Sequence, residues 1–326
     1  MAGNGGIIGP VNTVNTISLS EKVSTFTSSG CFTAQGTANA DYLVVAGGGA
    51  GTTQGGGGGG GGYRASGSGP GPLQGSAVSV TKDTTYAITV GGGGSGGKYS
   101  QQSTAPSGTD SIFNPGGVEN STMYTADGGG GGGGGDGGSG GGASSEGVGS
   151  GVPGTGNTPA RSPSIAQGTS GGTRVGFPPG VGGGGGGGGV TEAGVNAVCG
   201  TSGRGGAGAP NNISGSALSY GGGGGGGGFN YGVGGAASPC GTGGAGGSGG
   251  GPGTGSSTGG AAGTANRGGG GGSTGRDVAG GVAQPSGSGG DGVVLIKEPA
   301  SSYKTAPGVW GMNTVYKFVK DGNWTS

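Results

Sequence analysis

Apolar residues occupy a few short stretches of this chain, and most of them alternate with polar ones. Ile17 and Leu19 alternate with Thr16, Ser18 and Ser20; Val23 to Thr27 makes a second short run; the Ser28-Ser29-Gly30 turn leads to Cys31-Phe32-Thr33. A period of two predicts strands. Asp41-Tyr-Leu-Val-Val-Ala46 is a compact apolar run of strand length, which predicts a strand buried on both faces. Ser76 to Val80 and Tyr86 to Val90 alternate around Thr81 to Thr85 and predict a β-hairpin. Ser111-Ile-Phe113 and Thr122-Met-Tyr124 add one or two edge strands. Gly292-Val-Val-Leu-Ile-Lys297 predicts a strand that returns to the sheet begun by Asp41 to Ala46. Together these close a small antiparallel β-sandwich or β-roll base. Near the end, Met312, Val315, Tyr316 and Val319 fall at i, i+3, i+4 and i+7, the spacing of a short amphipathic α-helix. Such a helix is too short to stand alone. With Trp310 before it and Trp324 after it, it is expected to dock on the β base or on another subunit or protein.

Between the apolar stretches lies glycine, 108 of 326 residues. Four runs are each eight long, Gly55–Gly62, Gly128–Gly135, Gly182–Gly189 and Gly221–Gly228, and a shorter one covers Gly268–Gly272. A strict three-residue period would indicate collagen, but the continuous runs break it. Glycine-rich chains without a period are ordinarily linkers or disordered. Disorder usually accompanies high net charge, whereas 13 basic residues here balance 13 acidic ones, and strands flank the glycine on both sides. A polyproline-II-type helix turns its N–H and C=O groups outward in three directions. Without Cβ atoms, neighbours can approach on every side. The matched runs therefore predict a bundle of polyglycine-II helices, about 25 Å thick at ~3.1 Å per residue. Mixed segments such as Gly243–Gly251 are expected in its outer rows, and spacers in loops at its ends. The expected organisation is an arm and first strand over 1–22, a glycine-rich domain over 23–298 and a C-terminal docking segment over 299–326.

Charge and chemistry narrow the function. A net charge of zero gives no basis for binding nucleic acid or an anionic membrane, and no apolar run is long enough to span a bilayer. The first ten residues lack the basic and apolar regions of a secretory signal. The chain has no histidine, the commonest general base and metal ligand. Gly-x-Ser-x-Gly at 93–97, 137–141 and 246–250 is a chance match in this composition. No catalytic residue, metal or cofactor is expected. Of Cys31, Cys199 and Cys240, a Cys199–Cys240 bridge and free thiols stay open as alternatives. The candidates for recognition are large side chains beside glycine runs: Tyr63, Arg64, Phe177, Tyr220, Phe229, Asn230 and Tyr231. Aromatic and arginine side chains on exposed loops are favoured at binding surfaces. The alternative for each is that it caps the bundle or packs on the β base.

The order Phe26-Thr-Ser-Ser-Gly30, Phe32-Thr33, Asp41-Tyr-Leu-Val-Val-Ala-Gly-Gly-Gly49, Tyr86-Ala-Ile-Thr-Val-Gly91, the polyglycine body and Gly289-Gly-Asp-Gly-Val-Val-Leu-Ile-Lys297 resembles the glycine-rich domain of bacteriophage tail-fibre and other virion surface proteins. The resemblance covers about residues 23–298. The ending Gly308-Val-Trp-Gly-Met-Asn-Thr-Val-Tyr316 with Gly322-Asn-Trp324 resembles a terminal module of phage structural proteins. The resemblance implies a non-enzymatic virion surface protein, a tail-fibre or head-fibre component. Its end loops would face a bacterial surface receptor, with other virion proteins or identical subunits as partners. The competing reading is an extracellular structural or ice-binding glycine-rich protein, which calls for a regular three-residue period along one face; the sequence shows none.

Overall fold

The structure, a computed structural model, describes residues 21–53, 55–97, 104–114, 124–145, 151–161, 165–175, 182–249, 257–276 and 284–300, together with the backbone of 16–18 and 302–304. The expected C-terminal helix, with Trp310, Tyr316 and Trp324, lies outside the described residues. Within them the chain is mainly β and irregular, built of several small sheets, with no α-helix. The strands are β1 (Thr16–Ser18), β2 (Lys22–Phe26), β3 (Gly30–Thr33), β4 (Ala38–Val45), β5 (Tyr63–Ser66), β6 (Gln74–Gly75), β7 (Val78–Val80), β8 (Thr85–Thr89), β9 (Ser111–Asn114), β10 (Tyr124–Ala126), β11 (Gly182–Gly183), β12 (Ala209–Asn211), β13 (Leu218–Tyr220), β14 (Gly228–Phe229), β15 (Val293–Glu298) and β16 (Ser302–Lys304).

Two sheets form the base. One runs β2-β15-β4-β5-β6 with β7 also paired to β4, and the other runs β10-β9-β8-β3. β15 pairs antiparallel with β4, Val293 opposite Val45 and Lys297 opposite Asp41, as the two apolar runs of the sequence lead one to expect. Successive side chains of a strand face opposite ways. Tyr42, Val44, Val294 and Ile296 therefore enter one core with Phe32, Tyr86, Ile88 and Phe113 of the second sheet. Leu43, Val45, Val293 and Leu295 enter another with Tyr63, Val190, Ile213 and Tyr220. The expected hairpin between 76–80 and 86–90 does not form. β7 pairs with β4 and β8 with β3 and β9, so the Thr81–Thr85 connection crosses between sheets. Asp83, at a φ of 59°, donates its amide to Ala34, and the Thr81 amide donates to the Tyr86 hydroxyl, which fixes that crossing.

The glycine segments stand on the sheets. From Ala46 the chain leaves β4 and returns to β5. The amides of Ala46, Gly49 and Thr52 donate to the carbonyls of Gly62, Gly59 and Gly56. Thr52 and Gly56 thus mark an end remote from the sheets. Gly55–Gly62 is buried throughout, and its bonds repeat every third residue. Gly57 and Gly60 donate to Gly185 and Gly188; Gly58 and Gly61 to Gly271 and Gly268; Gly59 and Gly62 to Gly130 and Asp127. The carbonyls of Gly55 and Gly58 accept from Gly227 and Gly224, those of Gly57 and Gly60 from Gly142 and Ser139, and those of Gly59 and Gly62 from Gly49 and Ala46. One run is therefore bonded to segments on all sides, and Gly182–Gly189 and Gly221–Gly228 repeat the scheme.

The four octaglycines are not four equal rods. Gly128–Gly132 is straight, but Gly133 and Gly134 take φ of 91° and 89°, and Gly135 donates back to Gly131. Only glycine enters that region freely. Equal length in sequence here covers two roles, a rod and a turn.

Candidate functional site

The body has a sheet end and a far end, and the sequence candidates divide between them. Tyr63, Arg64 and Tyr220 lie at the sheet end and are buried. They follow or precede glycine runs because the runs plug into the base there. The Tyr63 hydroxyl accepts from Asn211 Nδ2 at 2.7 Å, and burial pushes its pKa up to about 12 against the lowering effect of that hydrogen bond. Arg64 donates Nη1 to the Ile165 carbonyl at 2.8 Å, and burial lowers its pKa from the usual arginine value. The Arg267 guanidinium lies 5.4 Å from the Tyr220 ring centroid, within cation–π range. Tyr63, Arg64 and Tyr220 take the packing position that the sequence left as their alternative.

Beside them is a charged group whose members are far apart in the sequence. Arg161 pairs with Asp110 at 3.2 Å and with buried Asp127, which also accepts from Gln167 Nε2. Asp110, Asp127 and the Arg161/Gln167 pair come from three separate stretches of the chain, so no local motif marks them. The group ties Arg161 and Gln167 to the base.

At the far end the picture differs. Phe229 is 2% and Asn230 6% exposed, whereas Tyr231 is 67% exposed. Asn230 and Tyr231 adopt φ of 42° and 63°, consecutive non-glycine residues in the left-handed region. Such conformations cost about 1–3 kcal/mol each and persist only where the surroundings enforce them. Here Phe229 is anchored by the β11–β14 pair, the Asn230 amide donates to Arg276, and Gly232 donates back to Phe229. The turn holds the Tyr231 ring outward on a rigid footing. Val198 and Val233, 61% and 56% exposed, are joined to its flank through bridges each makes with Thr201. Isolated valines among glycine spacers gave no sequence signal for this apolar edge. Phe177 lies outside the described residues.

The described residues that flank 98–103, 146–150, 176–181, 250–256 and 277–283 also gather at this end. Gly97 bonds Ser286, Ser145 accepts from Arg174, Val175 bonds Gly183, Gly249 bonds Gly232, Gly275 bonds Thr258 and Arg276 bonds Gly228.

Comparison with protein-family models and with curated proteins finds no match.

Cys199 sits exposed in the far-end turn and Cys240 half-buried in a turn at the sheet end; both are free, as is Cys31. Burial opposes the Cys240 thiolate, yet hydrogen bonds from Ser238, Thr242 and the Gly208 amide bring the thiol below its usual value. Among the described residues no group of three or more His, Cys, Asp or Glu is placed to hold a metal ion, and no helix is long and apolar enough to cross a membrane. The far end exposes the Tyr231 ring and the apolar side chains of Val198 and Val233.

Proposed function

We propose that this chain is a non-enzymatic component of a bacteriophage virion surface, a tail-fibre or head-fibre protein, whose glycine body is a polyglycine-II bundle holding loops toward a bacterial surface receptor. The observation that carries the reading is the polarity of the body: the sheets close one end, while the flanks of five connections and the Tyr231 turn converge on the other. The three-residue repeat of lateral bonds along Gly55–Gly62 supports the polyglycine-II geometry, because three residues per turn is the period of that helix. The C-terminal segment, 299–326, attaches the protein to other virion proteins or to identical subunits. The protein works at the virion surface, takes no cofactor and binds no nucleic acid.

A host-cell binding assay tests the reading. Replacing the far-end connections and the Phe229–Tyr231 turn with Gly-Ser segments of equal length is expected to abolish binding, and Tyr231→Ala alone to weaken it at least tenfold. Unchanged binding after every far-end replacement would sink the adhesin role.

A further inference from the structure

An interior rod shows where a side chain on such a backbone must point. A Cβ at Gly58 would overlap the carbonyl of Gly49, whose amide donates to Gly59. A Cβ at Gly57 would meet Gly224, whose amide donates to Gly58, and one at Gly59 would meet Ser139, whose amide donates to Gly60. The offset is constant. A side chain on one residue stands over the carbonyl of the next, where a neighbouring rod would donate.

The outer rows obey this geometry closely. In 242–249, the carbonyls of Thr242, Ala245 and Ser248 accept from Thr264, Ala261 and Thr258, and those of Gly244 and Gly247 from Gly225 and Gly228. The carbonyls of Gly243, Gly246 and Gly249 accept no bond among the described residues; the last two are preceded by Ala245 and Ser248, whereas Gly243 and the preceding Thr242 are buried and the Thr242 hydroxyl accepts from the Gly222 amide, so Thr242 covers no flank. In 232–239, the carbonyls of Gly234 and Ala237 are likewise open, preceded by Val233 and Ala236. In 284–290, those of Ser286 and Gly289 are open, preceded by Pro285 and Ser288. In 201–207, Thr201 and Arg204 precede Ser202 and Gly205, which accept from no other row. Gly93, Gly260 and Thr264, preceded by Gly92, Gly259 and Gly263, are exceptions, their carbonyls accepting no bond among the described residues. Within 243–248, by contrast, the residue before each carbonyl bonded to a neighbouring row is glycine.

We propose that these side chains are lateral guards: each covers an open carbonyl edge and prevents a second copy of this chain from adding a rod there. The flanks are thereby closed to self-association, and binding is confined to the two ends. An unguarded backbone edge is a template for pairing with another chain, and a body made of backbone would otherwise carry such edges on every flank. The proposal rests on the polyglycine-II reading, and the two fail separately. Fast amide exchange at Gly57–Gly61 would remove the lattice, whereas the experiment below addresses only the guards.

The variant V233G/A236G/A245G/S248G uncovers two adjacent rows. Sedimentation velocity over roughly 1–100 µM, which reports dissociation constants in the micromolar range, is expected to show its mass rising with concentration to at least twice that of the wild type. The companion V233T/A236S/A245S/S248T keeps a side chain at each site and is expected to match the wild type. The milder A236G/A245G is measured alongside, with circular dichroism melts to establish that each variant is folded. A folded glycine variant that keeps the wild-type mass throughout, or a companion that associates equally, overturns the proposal.

Discussion

At the scale of single residues, the structure turns on what a methyl group would strike. At Gly58 an added Cβ meets the backbone of Gly49, which no side-chain rotation can relieve, whereas at Gly36 it meets nothing within 4 Å. Gly58→Ala is therefore expected to destabilise the protein by about 3 kcal/mol or more, at the upper end of overpacking costs. Gly36→Ala is expected to be nearly neutral, and thermal melts of the pair check the contrast. Surface charge gives a smaller effect. The Arg204 hydrogen bond holds the Glu192 carboxyl below its usual value. A carboxylate depressed on folding adds stability above its unfolded pKa of about 4.3, and the gain is lost as pH falls through the folded value. Glu192→Gln should thus melt lower than wild type at pH 7, by the equivalent of under about 1 kcal/mol because the pair is solvent-screened. The difference should vanish once pH falls below the folded value, where both states hold a protonated carboxyl. Tyr63→Phe removes the acceptor of a buried Asn211 donor and is expected to cost about 1–3 kcal/mol by the same melts.

At the scale of elements, legibility followed the side chains. Asp41 to Ala46 and Gly292 to Lys297 carry enough branched apolar residues to announce strands, and their pairing follows from both being buried on two faces. Ser76–Val80 and Tyr86–Val90 were equally legible as strands, but alternation says only which side chains are buried, not in which sheet. Their separation depends on Asp83 and the long-range contact to Ala34. The glycine runs were legible as repeated segments of matched length and illegible in detail, because a residue with no side chain leaves no mark of its neighbour. Hence the fold-back at Gly133–Gly134 could not be read, nor could the sorting of Tyr63, Arg64 and Tyr220 to the buried end. The turn makes a sharp test. Gly133→Ala is expected to cost about 1–2 kcal/mol for a left-handed alanine, while Gly133→Asn, which enters that region more readily, should cost less.

At the scale of the whole molecule, a three-residue period does exist on the outer rows, at Val233 and Ala236 or at Thr242, Ala245 and Ser248. Each row is short and turns interrupt the phase, so the period does not stand out along the sequence. Its residues vary in polarity from Arg204 to Val233, so it reflects packing of the row and not a ligand-matched lattice, which weighs against an ice-binding face. Amide exchange should display the architecture directly. Gly57–Gly61, Gly185–Gly188 and Gly223–Gly227 are bonded and buried and are expected to exchange slowly, while the exposed, unbonded amides of Ala193, Asn196 and Ala262 exchange fast. Uniformly fast exchange in the three runs would remove the bundle.

The absence of side chains from the body also has a calorimetric consequence. Heat capacity rises on unfolding because apolar surface is wetted, and exposed peptide groups pull it down. Here the apolar surface is concentrated in the two cores at the base, and most of what unfolding would wet elsewhere is peptide. The heat-capacity increment per residue should fall clearly below the usual ~12–15 cal/mol/K. The stability curve would then be broad and shallow, changing little between refrigerator and body temperature.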